Sequence, residues 1–240
     1  IAFNPLPFVT GEKGAAQCLA SQPGGKGRFW LIPRDSGRFA GQKPRILEAP
    51  DGFVFHHLNA FEDGDHVVVE SIVYDDFPSI GPDEDFAEVD FDTVPEGTLH
   101  RCRLDLSRES VQTKQISART CEFAMVNPER QGLSARYAWM AVAERETGND
   151  PLQAIQKLDL DSGATHTWSA APRGFVSEPL MVRRPGAESE DDGWVLDLVW
   201  NGARVASDLV ILNARDLSEV AVLELPLAVP HGLHGSWAAG

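Results

Sequence analysis

The stretch LDLDSGATHTW, Leu158 to Trp168, decides the fold. It reads as an apolar strand, a DSG-type turn and a second strand carrying an aromatic residue, the outer hairpin of a propeller blade. A glycine at the turn supplies the positive φ that a tight hairpin needs. Outward from this point the chain repeats the theme. Period-two alternation rich in Val, Ile, Phe and Trp predicts strands at 28–33, 52–61, 66–74, 99–106, 111–116, 136–143, 154–160, 194–200, 205–212 and 219–225. The turns EDGD (62–65), DSGA (161–164) and EDDG (190–193) place Asp and Gly between them. Only DEDFAEVDFDT (83–93) has the composition of a short helix, and its acidic residues suit a solvated loop equally well. Many short strands joined by hairpins define a sandwich, a barrel or a propeller, and the hairpin at 158–168 selects the propeller.

Four polar residues interrupt otherwise apolar strand starts: His56, Glu122, Glu178 and His234. They lie 66, 56 and 56 residues apart. That near-constant period, somewhat longer than a blade of roughly 40–50 residues, places one such residue in each blade. Innermost propeller strands all face one axis, where the four side chains would converge.

Composition narrows the function. The chain has 240 residues, 42% hydrophobic, with 21 basic against 36 acidic side chains and a net charge of -15. Such a surface repels nucleic acid and anionic bilayers alike. No apolar run approaches the roughly 18 residues of a membrane span. The three cysteines, Cys18, Cys102 and Cys121, are widely spaced and lack CxxC pairing, so neither a disulfide framework nor structural zinc is expected. A reducing, cytoplasmic setting follows. The chain starts at Ile1 with a turn-like NPLPF, and reads as a piece of something longer.

Two motifs carry histidine. In FHHLNAFE (55–62) adjacent imidazoles in a strand point to opposite faces. One can reach a metal or the core while the other packs elsewhere, although a pair of structural histidines has the same signature. In PHGLHGSW (230–237) the glycines around His234 let the backbone approach whatever the imidazole touches; a polar tail is the plain alternative. Glu122 and Glu178 are costly to bury unless paired. Bonding to the free N–H of a metal-bound imidazole is one solution. Glycoside hydrolysis by two carboxylates is another, but it leaves both histidine motifs without a role.

FVFHHLNAFE (53–62), CEFAMVNPERQG (121–132), FVSEPLMVRRPGAESEDDGWVL (175–196) and PHGLHGSW together resemble the carotenoid cleavage oxygenase family. That family includes apocarotenoid- and stilbene-cleaving dioxygenases and a related retinoid isomerase. LIPR (31–34) followed by EAPDGF (48–53) fits the same pattern. The resemblance runs over essentially all of residues 1–240, in the family's order. It implies a seven-bladed, all-β propeller with a non-haem Fe(II), Fe(2+), on its axis, held by four neutral histidines. This chain would be roughly the C-terminal half of that single domain.

By position within the motifs, the resemblance assigns His56 and His234 as metal ligands and Glu122 and Glu178 as the glutamates that hold the ligating imidazoles. His57 and His231 become packing residues or supports behind the ligands. His66, His100 and His166 match no motif and read as surface or turn residues. Phe53, Phe55, Phe61, Phe123 and Trp237 flank the motif residues and are candidates for lining the substrate cavity, with plain core packing as the alternative for each.

The implied reaction is O2-dependent cleavage of a conjugated double bond in an apolar polyene or stilbene. The partners expected are that substrate, O2 and the missing N-terminal half of the propeller. The protein would be soluble, with peripheral membrane contact for substrate uptake. An isomerase on the same fold, and a metal-free propeller acting as a binding module, are the rival readings.

Overall fold

The computed structural model describes residues 2–14, 18–20, 26–34, 36–37, 39–78, 88–230 and 234–238. Two short pairs come first: β1 (Ala2–Phe3) with β2 (Leu19–Ala20), and β3 (Arg28–Leu31) with β4 (Arg45–Glu48). Between β1 and β2 lies α1 (Pro5–Val9), capped by the Asn4 side chain. Three larger antiparallel sheets follow, each made of strands in simple up-and-down order.

The first sheet contains β5 (His57–Asp63), β6 (His66–Val73), β7 (Thr98–Asp105) and β8 (Ser110–Ser117). The second contains β9 (Cys121–Val126), β10 (Tyr137–Ala143), β11 (Leu152–Asp159) and β12 (Thr165–Ser169). In the third, β13 (Gly174–Phe175) and β14 (Leu180–Arg183) share one edge of β15 (Gly193–Asn201). Beyond β15 come β16 (Ala206–Asn213) and β17 (Glu219–Glu224). The innermost strands β5, β9 and β14 pack side by side, so the sheets radiate as blades.

The core lies between blades rather than within them. On β10, Ala138, Met140 and Val142 face Leu58, Ile72 and Leu99 of the first blade. The alternate residues Trp139 and Ala141 face Met181, Val195 and Val210 of the third. Both faces of β10 are therefore buried, and its text is continuously apolar. The outermost strands β12 and β17 are largely exposed.

The hairpin at 158–168 forms as read, with β11 and β12 joined by a turn in which Gly163 has φ +77°. Gly64 plays the same part in EDGD, at φ +60°. EDDG differs. Gly193 is not in the left-handed region but opens β15, where a Cβ would stand 2.3 Å from the Val182 carbonyl oxygen. The positive φ of that connection belongs to Gly186, at +74°. Of the acidic stretch 83–93, residues 83–87 lie outside the described residues, and Phe91–Thr93 is a single 3-10 turn. His66 and His100 lie within β6 and β7 and are partly buried, so they are not turn residues; His166 is exposed in β12.

Candidate metal centre

Two irregularities in the ladders aim the motif residues. The predicted strand 52–61 begins only at His57; before it, Phe53 forms an isolated bridge with Tyr74. His56 lies in this gap, and the register between β5 and β6 slips at Leu58. In β9 the register against β10 slips after Glu122, so that Phe123 and Ala124 together oppose Met140. Phe123 takes φ +53°, a strained value for a residue with a Cβ. A bulge of this kind re-aims the side chains beside it.

The consequence is a tight contact between blades. His56 Nδ1 lies 2.6 Å from Glu122 Oε2. That oxygen also accepts the Phe123 amide at 2.8 Å. The other oxygen, Oε1, accepts the Tyr74 hydroxyl at 2.7 Å. His57 points away and meets Ser71 Oγ at 2.7 Å. Burial, and then the neighbouring His56, push the His57 imidazole below its ordinary range.

A second imidazole–carboxylate pair comes from the third blade. Between β13 and β14 the strand breaks at residues 176–179, and Glu178 sits in the break. His234 Nδ1 faces both Glu178 oxygens, at 3.2 and 3.3 Å, and the Gly235 amide donates to Oε2 at 2.9 Å. Behind the break, Asp197 Oδ1 accepts the Ser177 amide at 2.9 Å, replacing a lost ladder bond. Asp197 Oδ2 is buried without a partner. Burial pushes this carboxyl up to about 8, with Glu178 adding to the effect.

The two imidazoles meet. The His56 and His234 rings stand 5.1 Å apart and perpendicular, with Phe123 5.2 Å from the first and 6.4 Å from the second. In each ring Nδ1 is turned to a carboxylate, which favours the Nδ1–H tautomer and leaves the Nε2 lone pair for a ligand. Among the described residues no three His, Cys, Asp or Glu side chains gather as a metal cluster; the donor set here is two imidazoles. His231 lies outside the described residues.

A cavity of about 640 Å³ opens on this pair, lined also by Phe123, Met125 and Trp237. Phe55 and Phe53 stack edge-on at 4.6 Å beside Tyr74 and do not line this cavity. Phe61 lies apart, lining a different cleft with Trp30 and Leu31. Two site residues were not legible in the sequence. Tyr74 is one; alternation with Ile72 places it in the core, where its hydroxyl needs an acceptor that no local pattern names. The other is Asn59, whose side chain reaches across to the 130–133 segment.

Blades that converge on carboxylate-backed imidazoles define an all-β propeller, of which the described residues form two four-stranded blades, a third whose innermost edge is split between β13 and β14, and two short strand pairs. The family model described as retinal pigment epithelial membrane protein matches residues 1–239, and the chain belongs to that family, which includes the carotenoid cleavage oxygenases. Apocarotenoid-15,15'-oxygenase of Synechocystis is 40% identical over 240 residues, covering 99% of this chain and 48% of the relative. Lignostilbene-alpha,beta-dioxygenase isozyme III of Sphingomonas paucimobilis is 29% identical over 232 residues, 87% of this chain and 46% of the relative. The solved structure of the cobalt-substituted Synechocystis enzyme matches with a TM-score of 0.92, over 100% of this chain and 49% of that one. The chain thus spans about half the length of the curated relatives it matches.

Proposed function

We propose that residues 1–240 are the C-terminal part of a single propeller domain. The whole protein would be a non-haem Fe(II) dioxygenase that cleaves a conjugated double bond of a carotenoid or apocarotenoid. The observation that carries this reading is the perpendicular His56–His234 pair, each ring backed by a glutamate. Imidazole nitrogens suit a divalent first-row metal, and the carboxylates behind them offset charge that neutral ligands leave. His56 and His234 would hold the iron through Nε2, with two further histidines supplied by the N-terminal half. When bound, the iron supplies the activation of O2 that an alkene needs.

The chain's own residues do the rest. Glu122 and Glu178 hold the Nδ1 protons and so fix both rings in one tautomer. Phe123 and Trp237 give the cavity an apolar wall, against which a polyene lies and from which water is displaced. No side chain has to act as a general acid or base. Cytoplasmic residence, with peripheral membrane contact for substrate uptake, completes the proposal. Among the described residues no helix is long and apolar enough to cross a membrane.

The test is product analysis. Full-length protein loaded with Fe(II) and given apocarotenoids and stilbenes under 18O2 should yield paired carbonyl fragments from a polyene, with label in the products. Isomerised substrate of unchanged mass, or cleavage of stilbenes alone, would overturn the assignment.

A further inference from the structure

Glu122 is gripped from two sides by the first blade. His56 enters β5 and Tyr74 follows β6, whereas Glu122 belongs to the second blade. The two gripping residues are joined to each other through the backbone. Phe53 and Tyr74 exchange both amide hydrogen bonds, at 2.8 and 2.9 Å, just upstream of His56. The Tyr74 ring is buried among core residues, with Gly97 directly against it. Burial, and then the Glu122 charge, push its phenol above the ordinary range, so it remains an O–H donor. Both carboxylate oxygens of Glu122 are thereby committed, one to Tyr74 and the other to His56 and the Phe123 amide. Glu178 has no such clamp. It receives no hydroxyl among the described residues, and both its oxygens stand at 3.2–3.3 Å from His234.

We infer that Tyr74 is a positioning residue of the metal centre: its hydroxyl locks the Glu122 carboxylate so that one oxygen is dedicated to the His56 imidazole. The inference rests on His56 being a metal ligand. Without the phenol, Glu122 can rotate and share its oxygens, as Glu178 does, and His56 loses its fixed direction. The two ligands of this chain are therefore held unequally, His56 rigidly and His234 with latitude.

Co(II) titration of the full-length protein, followed by its visible absorption, tests this with Tyr74→Phe, Glu122→Gln and the double variant. Tyr74→Phe should weaken Co(II) binding by about 3–10-fold, less than the full worth of one hydrogen bond to a charged group because the phenol acts on the metal only through Glu122, and shift the d–d bands. Because Tyr74 acts through Glu122, the double variant should bind as Glu122→Gln does alone. Site-specific 3-fluorotyrosine at position 74 keeps ring and hydroxyl while strengthening the donor, and should shift the bands the opposite way; it serves where Tyr74→Phe does not fold. Unchanged affinity and spectrum in Tyr74→Phe, multiplied effects in the double variant, or unshifted bands in the fluorotyrosine protein would overturn the inference. A wild-type protein that binds no Co(II) would instead overturn the ligand assignment itself.

Discussion

Glu122 Oε2 stands 2.6 Å from His56 Nδ1, at the short end of charge-assisted contacts. The carboxylate is nearly buried, so little water competes for it. Glu178 is more open to solvent and meets His234 at longer range. The two glutamates should therefore respond differently to loss of charge. Glu122→Gln in the full-length protein should weaken Fe(II) or Co(II) binding by about 10–100-fold, and Glu178→Gln by the lower end of that range. Calorimetric titration measures both, and a larger loss at Glu178 would contradict the geometry.

Removing a ligand should be categorical where removing its partner is graded. His56→Ala or His234→Ala should abolish iron retention together with turnover. The isolated 240-residue chain, with two imidazoles, should hold Fe(II) weakly. Elemental analysis after desalting settles each case; full iron occupancy in either variant, or stoichiometric binding by the isolated chain, would show that a ligand has been misplaced.

Much of the fold is written in short runs rich in Val, Ile and aromatic residues, continuously apolar where both faces of a strand are buried. HVVVESIV and YAWMAVA form strands because their side chains fill the spaces between blades. Two of the strands that escaped the pattern have local reasons. Cys121–Val126 carries a bulge that breaks period two, and Leu180–Arg183 is short and follows a strand break. The motifs name His56 and Glu122 through a family likeness, but not their contact, because 66 residues separate them and only blade packing joins them. Tyr74 is less legible still. Its acceptor lies on another blade, and nothing in SIVYDD points there.

The Asp197 carboxyl gives a pH signature. Burial lifts it from an ordinary 3.8 to about 8. Between those values the folded chain keeps a proton that the unfolded chain releases, so stability falls as pH rises through the window and levels off above it. Asp197→Asn keeps the acceptor for the Ser177 amide and removes the titration. Relative to wild type it should gain stability on the order of a few kcal/mol at pH 9 and little at pH 4. Urea midpoints across that range read the difference directly; a gap that does not change with pH would rule out a buried neutral acid.

Asn59 ties the histidine motif to the rim of the cavity. Its amide oxygen accepts the Gly132 amide at 3.0 Å, while its nitrogen donates to the carbonyls of Leu133 at 2.8 Å and Arg130 at 3.4 Å. Asn59→Ala strands these groups in a site where Asn59 is only 6% exposed. The expected loss is about 2–3 kcal/mol, with faster proteolysis at 130–133. Asn59→Asp keeps the acceptor for Gly132 but turns a carboxylate oxygen toward the Leu133 and Arg130 carbonyls, so it should lose at least as much stability as Asn59→Ala.

Gly97 tests the same centre from behind. Its backbone is not left-handed, so the constraint is space: a Cβ would lie 2.6 Å from Cζ of Tyr74 and 2.8 Å from its hydroxyl oxygen. The ring is buried in one core cluster with Leu99, Ile72 and Cys121, so it has little room to retreat. Gly97→Ala must then move the phenol off Glu122 or push the two blades apart. Overpacking of this kind costs about 1–3 kcal/mol. If the phenol moves, Gly97→Ala should also lower Co(II) affinity about as much as Tyr74→Phe does, and adding Tyr74→Phe should change affinity little further. If Gly97→Ala loses stability while its Co(II) affinity and spectrum stay at wild-type values, the glycine serves packing alone.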